Sequence, residues 1–193
     1  VMSLFQSSGF QAIYQDLSRW QKKAVPEKKK SPARKLKYIY VQSEQDEALL
    51  KSSLQKAKVL AVDTETTGAD PMRAKLVGIS MACQPGEAFY LNCLPTELFS
   101  NPASGLEVLR PFLENPRLPK VGQNIKYDLI VLQRHGFQLS GIAFDTMIAN
   151  YLLNPNVRRN NLDDMALDLL GLETIKYEDI AGSGRKQLTL DQV

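Results

Sequence analysis

A mixed α/β sheet flanked by helices is the fold class this sequence predicts, and three observations predict it. Several short β-prone runs lie close together in the stretch from Tyr38 to Leu91. Beyond them, helix and strand patterns alternate. The chain has 193 residues and is 44% hydrophobic, which suits one domain with a core of its own plus an appendage.

Each element has a local reason. Leu4, Phe5, Phe10, Ile13, Tyr14, Leu17 and Trp20 are spaced as the stripe of a short amphipathic helix. That stripe needs a partner, either something before it or the main domain. Residues 21–37 are rich in Lys, Pro and Ala without periodicity, and read as a flexible basic linker. Tyr38–Val41 reads as a strand, and Ser43 as the N-cap of a helix to about Gln55, with Glu47 near its first turn. Val59–Glu65 reads as a buried strand, and Thr66–Arg73 as a polar loop. Leu76–Ala82 and Ala88–Leu91 read as strands joined by a turn at Gln84, Pro85 and Gly86. A helix at 104–114, a strand at Lys120–Gly122 and a helix from Asn124 to His135, ended by Gly136, come next. Ala143 and Phe144 close a strand, Asp145 caps a helix through Leu153, and a last helix runs from about Asn161 to Leu170. The tail to Val193 is polar and turn-rich.

Charge and composition narrow the function classes. The net charge of +3 hides an asymmetry, since residues 21–37 hold eight Lys or Arg and one Glu. The remainder then carries 16 basic and 20 acidic residues and is mildly acidic. A basic segment of this kind attracts nucleic-acid phosphates, and it is equally a solvated linker. No apolar run reaches the ~18–20 residues of a membrane span, and the start VMSLFQSSGF lacks the pattern of a signal peptide. Cys83 and Cys93 form no CxxC pair and read as reduced strand residues of a cytosolic protein.

Three acidic positions stand out. Asp63 and Glu65 end an apolar strand and, two residues apart, project from the same face. Paired carboxylates repel unless a cation lies between them, and hard divalent ions such as Mg²⁺ take such oxygen ligands. Asn124 and Asp128 fall four apart, on one helix face, with Ile125, Leu129 and Leu132 opposite. The bland alternative makes Asn124 the N-cap and Asp128 a first-turn charge. Asp145 reads as a helix cap, and His135, the sole histidine, as a partner of a helix C-terminus rather than a catalyst. No Ser/His/Asp triad and no zinc-ligand spacing is present.

Taken together, VLAVDTETT, KVGQNIKYD, GIAFDTMIANYLLNP and EDIAGSGRKQLTLDQV resemble, in order and spacing, the 3′→5′ proofreading exonuclease domain of the bacterial family A DNA polymerases, of the DEDD type and tyrosine subfamily. The resemblance implies a ribonuclease H-like fold over residues 38–193 and hydrolysis of the 3′-terminal DNA phosphodiester with two Mg²⁺ ions, Mn²⁺ being a substitute. It makes Asp63, Glu65 and Asp128 the catalytic metal ligands. It implies a fourth carboxylate in a Tyr-x-x-x-Asp motif that no residue here matches, so the fragment is expected to have little or no activity. It gives Asn124, Tyr127, Arg159 and Tyr177 to substrate binding. Where the family often has a large apolar wedge, this chain has Gly68 and Ala69. Residues 1–20 resemble the tail of a preceding 5′-nuclease domain. The implied partners are a single-stranded or frayed DNA 3′ end and the polymerase and 5′-nuclease domains in cis, with no membrane, in a bacterial cytoplasm near the nucleoid. An RNA-trimming exonuclease of the ribonuclease D type and a non-catalytic spacer or DNA-binding module remain the alternatives.

Overall fold

The computed structural model describes residues 36–94, 106–156, 160–184 and 187–192. The helix expected at 4–20, nearly all of the basic linker, and Arg159 lie outside the described residues.

The chain enters through strand β1 (Lys37–Tyr40) and helix α1 (Glu44–Lys56). Ser43 caps α1 as expected, and the reciprocal partner is Asp46. The Asp46 N–H donates to Ser43 Oγ at 3.2 Å, and Asp46 Oδ2 accepts from the Ser43 N–H at 3.1 Å. Leu50 and Leu54, one turn apart, are the buried residues of this helix. Strands β2 (Leu60–Thr66), β3 (Leu76–Gln84) and β4 (Glu87–Asn92) form an antiparallel run, with a tight turn at Pro85 and Gly86 between β3 and β4.

The helix expected at 104–114 is interrupted: 104–105 lie outside the described residues, 106–107 are helical, 108–109 form a turn, and α2 (Arg110–Leu113) follows. Pro111 stands in its first turn, where the missing N–H costs nothing, but it cannot extend a helix running in from before. Strand β5 (Lys120–Gly122), helix α3 (Lys126–Arg134), strand β6 (Ile142–Asp145) and helix α4 (Thr146–Leu153) then alternate. Asn161 caps α5 (Leu162–Met165), which widens into a π turn at Ala166–Leu170. The tail holds a helix the sequence pattern did not announce, α6 (Tyr177–Ala181), and a 3₁₀ turn at Leu190–Gln192 that packs against β2.

The six strands form one mixed sheet in the order β1-β4-β3-β2-β5-β6. β1 joins β4 in parallel, the central pairs are antiparallel, and β5 and β6 continue in parallel beyond β2. Its core face carries Val62, Ile79, Met81, Phe89 and Leu91, packed with Leu50, Leu54, Leu109, Leu113, Val131 and Leu132. Burial of this apolar surface, at roughly 25 cal/mol per Å², is what holds helices and sheet together. Lys120 is fully buried in β5, its ammonium donating to the Asn115 carbonyl at 2.6 Å. Burial holds that amine down at about 8.

Gly141 marks the approach to β6. Its φ is +73°, and a Cβ there would lie 2.8 Å from the Pro116 carbonyl oxygen and 2.9 Å from that of Leu118. Left-handed backbone and two backbone clashes act together, so Gly141→Ala is expected to destabilise the chain by more than about 2 kcal/mol in urea unfolding. A loss below ~0.5 kcal/mol would show that the loop relaxes freely.

Candidate active site

Strand alternation sorts β2 into two faces. Leu60, Val62 and Thr64 are buried on the core side, while Asp63 is exposed and Glu65 half-buried on the other. Register then chooses their neighbours: Ser80 lies opposite Asp63 and Gly78 opposite Glu65. Beside them opens a cavity of about 270 Å³ whose wall includes Ala61, Asp63, Ser80, Val121, Gly122 and Leu162.

Asp128 arrives from the other direction, on the first turn of α3, and is 2% exposed. β5 pairs with β2 only at Leu60 and Ala61, so further along this edge of β2 has no strand partner. The Asp128 carboxylate fills that role. Its Oδ1 accepts from the Thr64 N–H at 2.7 Å and from Thr64 Oγ1 at 2.6 Å. Thr64, between the two acids of β2, thereby brings the third to them.

The three carboxylates feel one another. Asp63 keeps open surface, yet partial desolvation of its carboxyl by the surrounding cleft, then the charge of Glu65, pushes it up to about 6. Burial likewise raises Asp128 to about 6, the two Thr64 hydrogen bonds pulling against it and the Asp63 charge adding to it. Glu65 is raised by burial, lowered in part by a hydrogen bond from Ser80, and raised again by Asp128.

Asp145 has a larger role than the single cap expected of it. Its Oδ1 accepts from the Met147 and Ile148 N–H groups at 2.9 and 3.3 Å, capping α4. The same carboxylate takes the Asn124 and Ile125 N–H groups at 3.1 and 2.9 Å, just ahead of α3. This corrects the placing of Asn124, which is neither the N-cap of α3 nor a helix-face neighbour of Asp128. It sits in left-handed backbone at φ +57°, which asparagine tolerates, and its side-chain oxygen accepts from the Lys126 ammonium.

The remaining candidates scatter. The Tyr127 hydroxyl bonds Thr66 Oγ1 and donates to the Gly68 carbonyl, latching the loop after β2. The Tyr177 hydroxyl donates to the Leu188 carbonyl at 2.6 Å within the tail. His135 serves structure, its Nδ1 against the Val131 carbonyl at 2.8 Å and its Nε2 accepting from the Leu76 N–H at 3.4 Å. Cys83 and Cys93 are both free thiols.

Sequence reasoning passed over Thr64, Ser80 and Gln123. Gln123 donates to the Asn160 carbonyl at 2.6 Å, and Asn150 donates to Asn160 Oδ1 at 2.6 Å, so the segment leading into α5 is anchored beside the site. Thr64 had a signal, a polar residue at a buried position of the alternation. Ser80 and Gln123 had none short of the register.

Three coupled carboxylates are the donor chemistry that a hard divalent cation takes, and a cation among them would offset the repulsion that raises them. With side chains as placed, no three His, Cys, Asp or Glu among the described residues close into a finished metal cage. The residues fit such an ion by donor type and by mutual charge.

Comparison with known proteins shows the family and the fold. A family model described as 3′-5′ exonuclease matches residues 38–193. The chain is 43% identical over 148 residues to a DNA polymerase I of Pseudomonas aeruginosa, a match covering 72% of this chain and 16% of that protein. It is 37% identical over 147 residues to a DNA polymerase I of Chloroflexus aurantiacus, covering 75% and 15%. The chain therefore spans about one sixth of the length of the curated relatives it matches. Among solved structures, the catalytic core of RRP6 from Trypanosoma brucei superposes with a TM-score of 0.61 at 18% identity, covering 85% of this chain and 45% of that one. The sheet is thus of the ribonuclease H-like exonuclease type.

The raised carboxyls give stability a pH dependence. Asp63 and Asp128 stand at about 6 when folded against an ordinary 3.8. Between those values the folded state holds more protons than the unfolded one, so this contribution rises as pH falls and is fully unfavourable above about 6. In urea unfolding with EDTA, the Asp63→Asn, Asp128→Asn double variant is expected to exceed the parent in stability at pH 7. The gap should narrow towards pH 4. A gap that stays constant or widens contradicts the coupling.

Proposed function

Since the chain belongs to the 3′-5′ exonuclease family carried by DNA polymerase I, we propose that it is a proofreading domain, hydrolysing the 3′-terminal phosphodiester of DNA and releasing 5′-nucleotides. The observation that carries this reading is that Asp128 is held by Thr64 between Asp63 and Glu65 on β2, where the three carboxylates raise one another through their charges. The reading accords with the divalent-metal dependence general to this family.

In it, Asp63, Glu65 and Asp128 hold two Mg²⁺ ions, for which Mn²⁺ substitutes. The ions would supply an activated water and stabilise the leaving 3′ oxygen. The residues of the chain do the positioning. Thr64 fixes Asp128, and Ser80 steadies Glu65. Tyr127, through its latch on Gly68, shapes the loop that faces the terminal nucleotide. Asn124 contacts that nucleotide, Arg159 the DNA backbone, and Tyr177 stacks near the strand end. The partners proposed are a single-stranded or frayed DNA 3′ end and, in cis, polymerase and 5′-nuclease domains, in the bacterial cytoplasm near the nucleoid. Among the described residues no helix is long and apolar enough to cross a membrane.

The test is incubation of 5′-labelled single-stranded DNA, and RNA of the same sequence, with the native polypeptide that carries this chain. Mg²⁺ and Mn²⁺ are each supplied. Stepwise shortening of DNA from the 3′ end is expected, reduced about 100-fold or more by Asp63→Ala, beyond what loss of an outer partner costs. Preference for RNA would favour the ribonuclease D reading. A folded protein that trims neither would leave a spacer module.

A further inference from the structure

The open face of the sheet carries an aromatic side chain that none of the catalytic assignments uses. Register sets Tyr40, Tyr90, Ser80 and Asp63 in one row across β1, β4, β3 and β2. The adjacent row runs Asn92, Gly78 and Glu65. The Tyr90 ring does not stay in its own row. A Cβ at Gly78 would lie 2.2 Å from the Tyr90 hydroxyl, 2.4 Å from Cζ and 2.6 Å from Cε2, so the phenol fills the space a side chain at 78 would occupy. Directly opposed residues on adjacent strands bring their side chains side by side. The phenol therefore stands in the position opposite Glu65 on the neighbouring strand.

We propose that Tyr90 is a positioning residue for Glu65, its hydroxyl joining Ser80 in orienting the Glu65 carboxylate towards Asp63 and Asp128. Two observations support it. Tyr40 stacks on Tyr90 with ring centroids 5.4 Å apart and planes at 15°, which fixes the ring. Glu65 is a long, half-buried side chain at the strand end, where a bulge follows it, and one hydroxyl leaves it free to swing about that contact. Gly78 has its reason here, because any larger residue would push the hydroxyl away from Glu65.

The inference rests on Glu65 being a metal ligand, and the experiment separates the two. Mn²⁺ binding to the 193-residue chain is followed by the electron paramagnetic resonance signal of free Mn²⁺. The proteins are the parent, Tyr90→Phe, Glu65→Gln and the double variant, each with a melting curve. Tyr90→Phe keeps the ring and the stack, so its melting temperature should match the parent while its Mn²⁺ dissociation constant rises about 10-fold. Glu65→Gln should weaken binding at least as much, and adding Tyr90→Phe to it should cost nothing further, since the hydroxyl acts through that carboxylate. Unchanged affinity in Tyr90→Phe, or full additivity in the double variant, overturns the role of Tyr90 and leaves Glu65 standing. No Mn²⁺ binding by the parent, or none of it sensitive to Glu65→Gln, overturns both readings. If Tyr90→Phe melts early, Gly78→Ala decides. It displaces the hydroxyl with the tyrosine in place, and weaker binding supports the proposal while parental binding overturns it.

Discussion

The hydrogen bonds from Thr64 to the Asp128 carboxylate are the interaction on which the rest of the site depends. β5 leaves the edge of β2 after two residues, so the Thr64 N–H needs another acceptor. A carboxylate from α3 supplies it and takes the Thr64 hydroxyl as well, at 2.7 and 2.6 Å. One contact thus satisfies a strand edge, docks the first turn of a helix and delivers an acid to two others. Burying that carboxylate has a cost, visible in its raised affinity for a proton. The fold carries the cost where three negative groups are useful together.

A second carboxylate, Asp145, does for the helix ends what Asp128 does for the sheet. It takes N–H groups from the starts of both α3 and α4, four hydrogen bonds from one side chain. It ties the chain just ahead of α3 to the end of β6, a short turn before Asp128. Asn124 bends through left-handed backbone so that its own N–H can join this arrangement. Acids thus have two jobs here, one structural and satisfied by N–H donors, the other crowded against its own kind.

Much of the fold could be read from local pattern because the physics was local. Strand alternation in Leu60–Thr66 and the turn at Pro85 and Gly86 are each decided within a few residues. The cap at Ser43 was equally legible, although its partner is Asp46. The expected helix at 104–114 is broken by a turn at 108–109, ahead of Pro111, whose missing N–H suits the first turn of a new helix better than the interior of a continuous one. Asn124 was misplaced because a helix-face argument assumes that the helix has begun, and Asp145, 21 residues on, determines where it begins. α6 was missed because five residues are too few for a period to show.

By itself the sequence determined the alternation that puts Asp63 and Glu65 on one face, the acids themselves, and the order of motifs that marks the exonuclease family. Those are properties of neighbours along the chain, where covalent geometry sets which side chains share a side. Tertiary structure alone decided that Asp128 lies against Thr64, that Ser80 and Gly78 stand opposite the two acids, and that the Tyr90 ring fills the place beside Glu65. Each depends on strand register and on where one strand stops, and a shift of one residue would turn every such side chain to the other face. Register is a contest among all the pairings of a sheet, and no short window of residues contains it.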